Sequence, residues 1–262
     1  MQIALTIAGS DSGGGAGIQA DLKTFHQFGV FGTSVVTAIT AQNTRRVESW
    51  EPVSAGMVRA QLDAVVTDLA PAAVKSGMLG ARDIVLAVAA GIAEHKLAWY
   101  VLDPVMVATS GDVLLEPDAV SAVRDRLMPL AALVTPNLHE AALLLERQIT
   151  GVREMTDAAE RLVRELGARA ALVKGGHLTG PTVIDVLYVD GSSILIRNPR
   201  IDTTSTHGTG CTLSAAITAG LALGGDLEDT VRSAIRFVHR AIRTAPELGS
   251  GSGPLNHFAP PG

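Results

Sequence analysis

The sequence predicts an α/β fold of three layers, a mostly parallel sheet held between two sets of helices. Three observations carry that reading. Short β-rich apolar runs alternate with segments of helical period almost throughout the chain. Those runs are continuously apolar, as strands buried on both faces of a parallel sheet must be. The strict alternation breaks once, where two strand-like runs flank Asp190-Gly191, a strong signal for a small hairpin.

In chain order, a first strand over 3–7 leads through a glycine-rich loop into a helix over 16–28. A second strand, 34–39, is followed by a loop over 45–50 and a helix over 55–69. Strands at 72–75, 99–102, 132–135 and 171–173 then alternate with helices at 82–95, 117–128, 138–145 and 157–166. The hairpin strands are 183–189 and 193–197. Beyond them, Leu213, Ala216, Ile217, Gly220 and Leu221 recur at helical spacing and define a helix over 209–223. A last helix spans 227–245, and a Gly/Ser/Pro tail over 249–262 is expected to be partly flexible.

Neither a repeat nor an internal linker divides the 262 residues, so one domain over 1–262 is expected. Aromatics make up 3% of the chain, which leaves the core to Ala, Val, Leu and Ile. A net charge of −5 without a basic block gives no reason to expect nucleic acid or an anionic membrane as partner. The longest apolar run, 84–93, is about half a membrane span. One cysteine excludes an internal disulfide and suits a reducing compartment, and the start of the chain lacks the basic stretch of a secretion signal. A cytoplasmic protein is expected.

In such a fold, ligands bind beyond the carboxyl ends of the strands. Four strands end there in unusual loops: AGSDSGGG (8–15), DPVM (103–106), TPNLHE (135–140) and KGGH (174–177). The glycine-rich loop fails the dinucleotide pattern, because Ile18 stands at the last glycine position and the second strand ends without an acidic residue. No Gly-Lys-Ser/Thr exists for a P-loop. Gly208-Thr209-Gly210 at a helix start, by contrast, can turn backbone N–H groups outward at the positive end of the helix, where phosphate binds. The competing reading is a buried small-residue helix whose Cys211 is a core hydrophobe.

Eight stretches in order resemble the ribokinase family, and more narrowly the hydroxymethylpyrimidine/phosphomethylpyrimidine kinases of thiamine biosynthesis. They are AGSDSGGGAGIQAD (8–21), TAITAQNT (37–44), KSGMLG (75–80), LDPVM (102–106), TPNLHE (135–140), VKGGH (173–177), HGTGCT (207–212) and GPLNH (253–257). The resemblance implies a ribokinase-like αβα sandwich, usually a homodimer. It implies transfer of the ATP γ-phosphoryl group to 4-amino-5-hydroxymethyl-2-methylpyrimidine, then to its monophosphate. Two rivals stay open: a pyridoxine/pyridoxal kinase, and a catalytically silent ligand-binding relative.

The resemblance also assigns residues. The amides from Gly208 to Cys211 form the anion hole, with Thr206 and Thr209 beside the ATP phosphates, and Lys174 brings a point charge. Asn137 and Glu140 match an Asn-x-x-Glu pattern that holds Mg²⁺ and phosphate, Glu140 through water. Asp103 either assists the metal or caps the following turn. Gln42 faces the aminopyrimidine, since an amide both donates and accepts. Met78 and Val105 form apolar walls, and Asp21 or Gly9 the floor. None of the seven histidines is given a role.

Most ribokinase relatives carry a catalytic aspartate where this motif has Cys211. A helix N-terminus can lower a thiol pKa, yet a neutral cysteine also has a use. The second acceptor is already an anion that needs no base, and a fixed carboxylate there would repel it.

Overall fold

A computed structural model of the chain describes residues 1–107 and 114–261, so the end of the expected domain, Gly262, lies outside the described residues. Nine strands form one sheet: β1 (Ile3–Ser10), β2 (Phe31–Gln42), β3 (Val47–Pro52), β4 (Ala73–Ser76), β5 (Tyr100–Leu102), β6 (Leu133–Val134), β7 (Ala171–Val173), β8 (Thr182–Val189) and β9 (Ser192–Pro199). Their order is β3-β2-β1-β4-β5-β6-β7-β8-β9, parallel from β2 to β7 and antiparallel at both edges.

The helices are α1 (Gly17–Gln27), α2 (Ala55–Leu69), α3 (Arg82–Glu94), α4 (Pro117–Ala122), α5 (Leu138–Leu145), α6 (Val152–Arg164), α7 (Thr209–Ala222) and α8 (Leu227–Arg243). Successive strand residues point to opposite faces, and both faces are buried. Leu5, Val74, Tyr100, Leu102 and Val134 pack against α2 to α6. Ala4, Ala73, Val101, Leu133 and Leu172 pack against α1, α7 and α8. These are the three layers expected. None of the described helices is long and apolar enough to cross a membrane.

Three local readings are corrected. Residues 45–50, read as a loop, mostly belong to β3, an edge strand antiparallel to β2, so the alternation breaks twice. The single helix read over 117–128 ends as α at Ala122, passes through a π turn at Val123–Leu127 and closes in a 3-10 turn at Met128–Leu130. Pro129 has no N–H to extend an α-helix. Finally, α6 begins at Val152 and not at 157. In the tail, Leu255, His257 and Ala259 are buried, and the Ser252 N–H donates to the Thr44 carbonyl at 2.7 Å.

The chain winds one way from β1 to β2 and the other from β1 to β4, so the order switches beside β1. Ligands in open α/β sheets bind at such a switch. Pairing also slips between Ala8 and Ser10 on β1 and between Ala41 and Gln42 on β2. Irregularities of this kind re-aim side chains at strand ends.

Candidate active site

A cleft of about 1100 Å³ opens over the carboxyl ends of β1, β2 and β4 to β7 and reaches the start of α7. Of the site residues expected from sequence, Gly9, Gln42, Met78, Val105, Asp103, Asn137, Glu140, Lys174, Thr206, Gly208, Thr209, Gly210 and Cys211 line it. Asp21 does not.

The charged centre lies between the ends of β5, β6 and β7 and the first turn of α7. Lys174 Nζ is 2.9 Å from Asp103 Oδ1 and 4.0 Å from Glu140 Oε2. Asp103 is buried and also accepts from Thr135 Oγ1 and Ser214 Oγ, each at 3.2 Å. Its side chain therefore holds Lys174 and does not cap the next turn. Burial alone would raise the Asp103 carboxyl, but the ammonium groups of Lys174 and Lys75 outweigh it and hold it below its usual range. Burial likewise opposes the Lys174 charge, and the carboxylates of Asp103 and Glu140 prevail, raising its pKa. The lysine stays charged.

Glu140 and Asn137 cap α5 reciprocally. Asn137 Oδ1 accepts from the Glu140 N–H at 3.0 Å, and Glu140 Oε2 from the Asn137 N–H at 2.7 Å. Burial pushes the Glu140 carboxyl up to about 7, against the pull of Lys174.

Gly208 precedes α7 with φ +79°, and a Cβ there would meet the Gly15 carbonyl oxygen at 1.9 Å. A Cβ on Gly210 would lie 3.2 Å from Lys174 Nζ. These two glycines let the glycine-rich loop and the ammonium close on the start of α7, which no side chain caps. The positive helix end and Lys174 together face one volume of the cleft.

Gln42 sits at the end of β2, where Ser12 Oγ donates to its carbonyl at 3.0 Å and accepts from its N–H at 2.8 Å. Gly9 brings β1 close to Met78, whose sulfur would be 3.0 Å from a Cβ on Gly9. Asp21 lies below the cleft, wholly buried, 2.7 Å from Lys75 Nζ and 2.6 Å from Thr6 Oγ1. Burial works against the Lys75 charge, but Asp21 and Asp103 outweigh it and raise the lysine pKa. Burial also pushes the Cys211 thiol up to about 12, so the helix N-terminus does not lower it. The thiol is neutral.

Sequence reasoning passed over Asp11 and His207, although both lie inside quoted stretches. Asp11 Oδ2 is 2.8 Å from His207 Nε2, linking loops 196 positions apart. Its carboxylate also accepts the N–H groups of Gly13, Gly15 and Ala16. His139 and His177, also unassigned, stack edge-on at 5.3 Å and line the cleft. No spacing rule joins residues so far apart in sequence.

The fold and this cleft are those of a ribokinase-like small-molecule kinase. A crystal structure of Bacillus subtilis pyridoxal kinase with ADP matches with a TM-score of 0.91 at 39% identity, over 99% of this chain and 98% of the other. Phosphomethylpyrimidine kinase from Clostridium difficile matches with 0.82 at 40% identity, over 92% and 100%. The hydroxymethylpyrimidine/phosphomethylpyrimidine kinase of Rhizobium meliloti is 57% identical over 98% of this chain and 97% of its own. The phosphomethylpyrimidine kinase family model matches residues 11–256, and the chain belongs to that family. It is a phosphotransferase.

Proposed function

We propose that the protein transfers the γ-phosphoryl group of ATP to 4-amino-5-hydroxymethyl-2-methylpyrimidine and then phosphorylates the monophosphate to the pyrophosphate, in thiamine biosynthesis. The observation that carries this is the meeting of Lys174, the open start of α7 and the amide of Gln42 in one cleft. The 57% identity with a kinase named for both pyrimidines supports the substrate.

Phosphoryl transfer asks mainly for positioning and for positive charge around the moving group. Lys174, held by Asp103, supplies a fixed cation, and the N–H groups of Gly208, Gly210 and Cys211 supply donors at a positive helix end. Thr206 and Thr209 flank that hole beside the ATP phosphates. Neutral Cys211 adds no negative charge beside the acceptor. Gln42 orients the pyrimidine, while Met78, Val105 and Gly9 shape an apolar slot for the ring.

Asp103 and Glu140 provide hard oxygen donors, and no cluster of three or more ligating side chains exists among the described residues. That donor set fits a Mg²⁺ held mostly by phosphate oxygens and water. When bound, the metal would neutralise phosphate charge; Asn137 would keep Glu140 oriented through the α5 cap. Asp21 acts beneath the floor, through Lys75. A homodimer and a cytoplasmic location complete the reading. The dimer is supported by exposed Phe31 and Ile39 on β2 and is checked by light scattering.

Two structural neighbours are pyridoxal kinases, one of them bound to AMP-PCP and pyridoxal, which favours pyridoxal as the competing acceptor. ADP release from Mg-ATP with hydroxymethylpyrimidine, its monophosphate and pyridoxal separates the readings. Turnover of both pyrimidines above pyridoxal is expected, and turnover of pyridoxal alone would overturn the reading.

A further inference from the structure

Asp11 holds His207, and His207 in turn touches the residue placed against the pyrimidine. Asp11 Oδ1 accepts from the Gly13 N–H at 2.8 Å, and Oδ2 from those of Gly15 at 3.0 Å and Ala16 at 2.8 Å. A carboxylate ringed by backbone donors is an acceptor only. Burial works against its charge, but the His207 contact and those N–H groups prevail and hold its pKa below the usual range. The His207 Nε2 that lies 2.8 Å from Oδ2 must therefore carry a proton.

That same Nε2 is 3.4 Å from Nε2 of Gln42. A ring nitrogen bearing its proton has no lone pair in the ring plane, so an amide NH₂ there sets donor against donor. The oxygen and nitrogen of a glutamine amide are interchangeable in placement, and the hydrogen-bond network decides between them. Here it decides for Oε1 towards His207, with the NH₂ on the side away from the imidazole.

We propose that Asp11 and His207 are positioning residues that fix the Gln42 amide so that it offers N–H donors to the substrate, and so select a ring presenting an acceptor nitrogen at that edge. The amide oxygen faces His207, which leaves the NH₂ as the group turned to the substrate edge. This rests on the assignment of Gln42 to the pyrimidine. Gly15 lets the ring approach: a Cβ there would stand 2.6 Å from His207 Cδ2.

Two experiments test it. Long-range ¹H–¹⁵N spectra of histidine-labelled wild-type protein at about pH 8, assigned by loss of a signal in His207→Gln, should show His207 as the Nε2–H tautomer. The Nδ1–H tautomer would overturn the proposal, because Nε2 could then accept from Gln42. In kinetics, His207→Leu should raise KM for the pyrimidine about tenfold while KM for ATP stays within about twofold. His207→Gln, which returns an N–H close to the lost one, should bring the pyrimidine KM back to within about threefold. A parallel rise in both KM values, an unmoved pyrimidine KM, or a Gln variant no better than Leu would each reject the positioning role. If His207→Leu does not fold, the tautomer decides alone. If wild-type enzyme turns over no pyrimidine, the functional reading fails and the tautomer still judges the Asp11–His207 arrangement.

Discussion

The resemblance to the ribokinase family implies an aspartate at the position Cys211 holds, and the environment of Cys211 keeps it neutral, with burial pushing the thiol up to about 12. On the proposed reading the second acceptor enters, as an anion, the cleft that Asp103 and Cys211 line, so another carboxylate would repel it. Two like charges at about 4 Å and an effective dielectric near 20 cost about 4 kcal/mol. Cys211→Asp should therefore lower kcat/KM for the monophosphate at least tenfold more than for the alcohol, read from ADP release with each acceptor. Equal losses would remove this explanation of the cysteine. Glu140 gives a second test. Its folded pKa, about 7, lies above the ordinary 4.5, so the stability held by the neutral form is fully present below about pH 4.5 and is lost as pH rises through about 7. Glu140→Gln can still accept from the Asn137 N–H but does not ionise. The variant's Tm should gain on wild type progressively between about pH 4.5 and 7.5, and a constant difference would show that folding does not raise the carboxyl's pKa.

Among the elements, the start of α7 concentrates the chemistry. Gly208→Ala would force a side chain into φ +79° and into the Gly15 carbonyl, so the glycine-rich loop and the α7 turn must part. Left-handed backbone alone costs about 1–2 kcal/mol, and the displaced loop disturbs both Asp11 and the anion hole. The expected result is a loss of kcat/KM of about a hundredfold, with Tm lowered only moderately because the α7 core face is untouched. This element was legible in sequence, since two glycines at the head of an apolar helical period mark an open helix start, although a buried small-residue helix competed as a reading of the same residues. β3 was not. Its residues Glu48, Ser49, Glu51 and Pro52 are exposed, so it shows no apolar run and is held by pairing with β2. Its apolar residues Val47 and Trp50 pack with Ala38, Met78 and Leu114, which only the folded chain brings together. The start of α6 was hidden for a similar reason, because Gly151 gives no side-chain cap to read. Loops of the phosphate site were readable because each carries its own Gly, Lys or Asn signal. The Asp11–His207 link was not, since it exists only once β1 and α7 meet.

One sheet runs through the whole molecule, and that fixes how the whole should respond to ligand. The apolar residues of β1, β4, β5 and β6 alternate between the two cores, so neither helical layer can leave without exposing the other face of the same strands. The cleft draws its residues from β1, β2 and β4 to β7 and from α7, on both sides of the point where strand order reverses. A ligand there binds the complete sheet and no separable part of it. Calorimetry should show one unfolding transition, with calorimetric and van't Hoff enthalpies in agreement. Mg-ADP at about a hundred times its Kd contributes about 2.7 kcal/mol and should raise that single Tm by roughly 5–10 °C. Two transitions, with only one of them moved by nucleotide, would mean that part of the chain folds apart from the site and that a single domain over 1–262 is the wrong description.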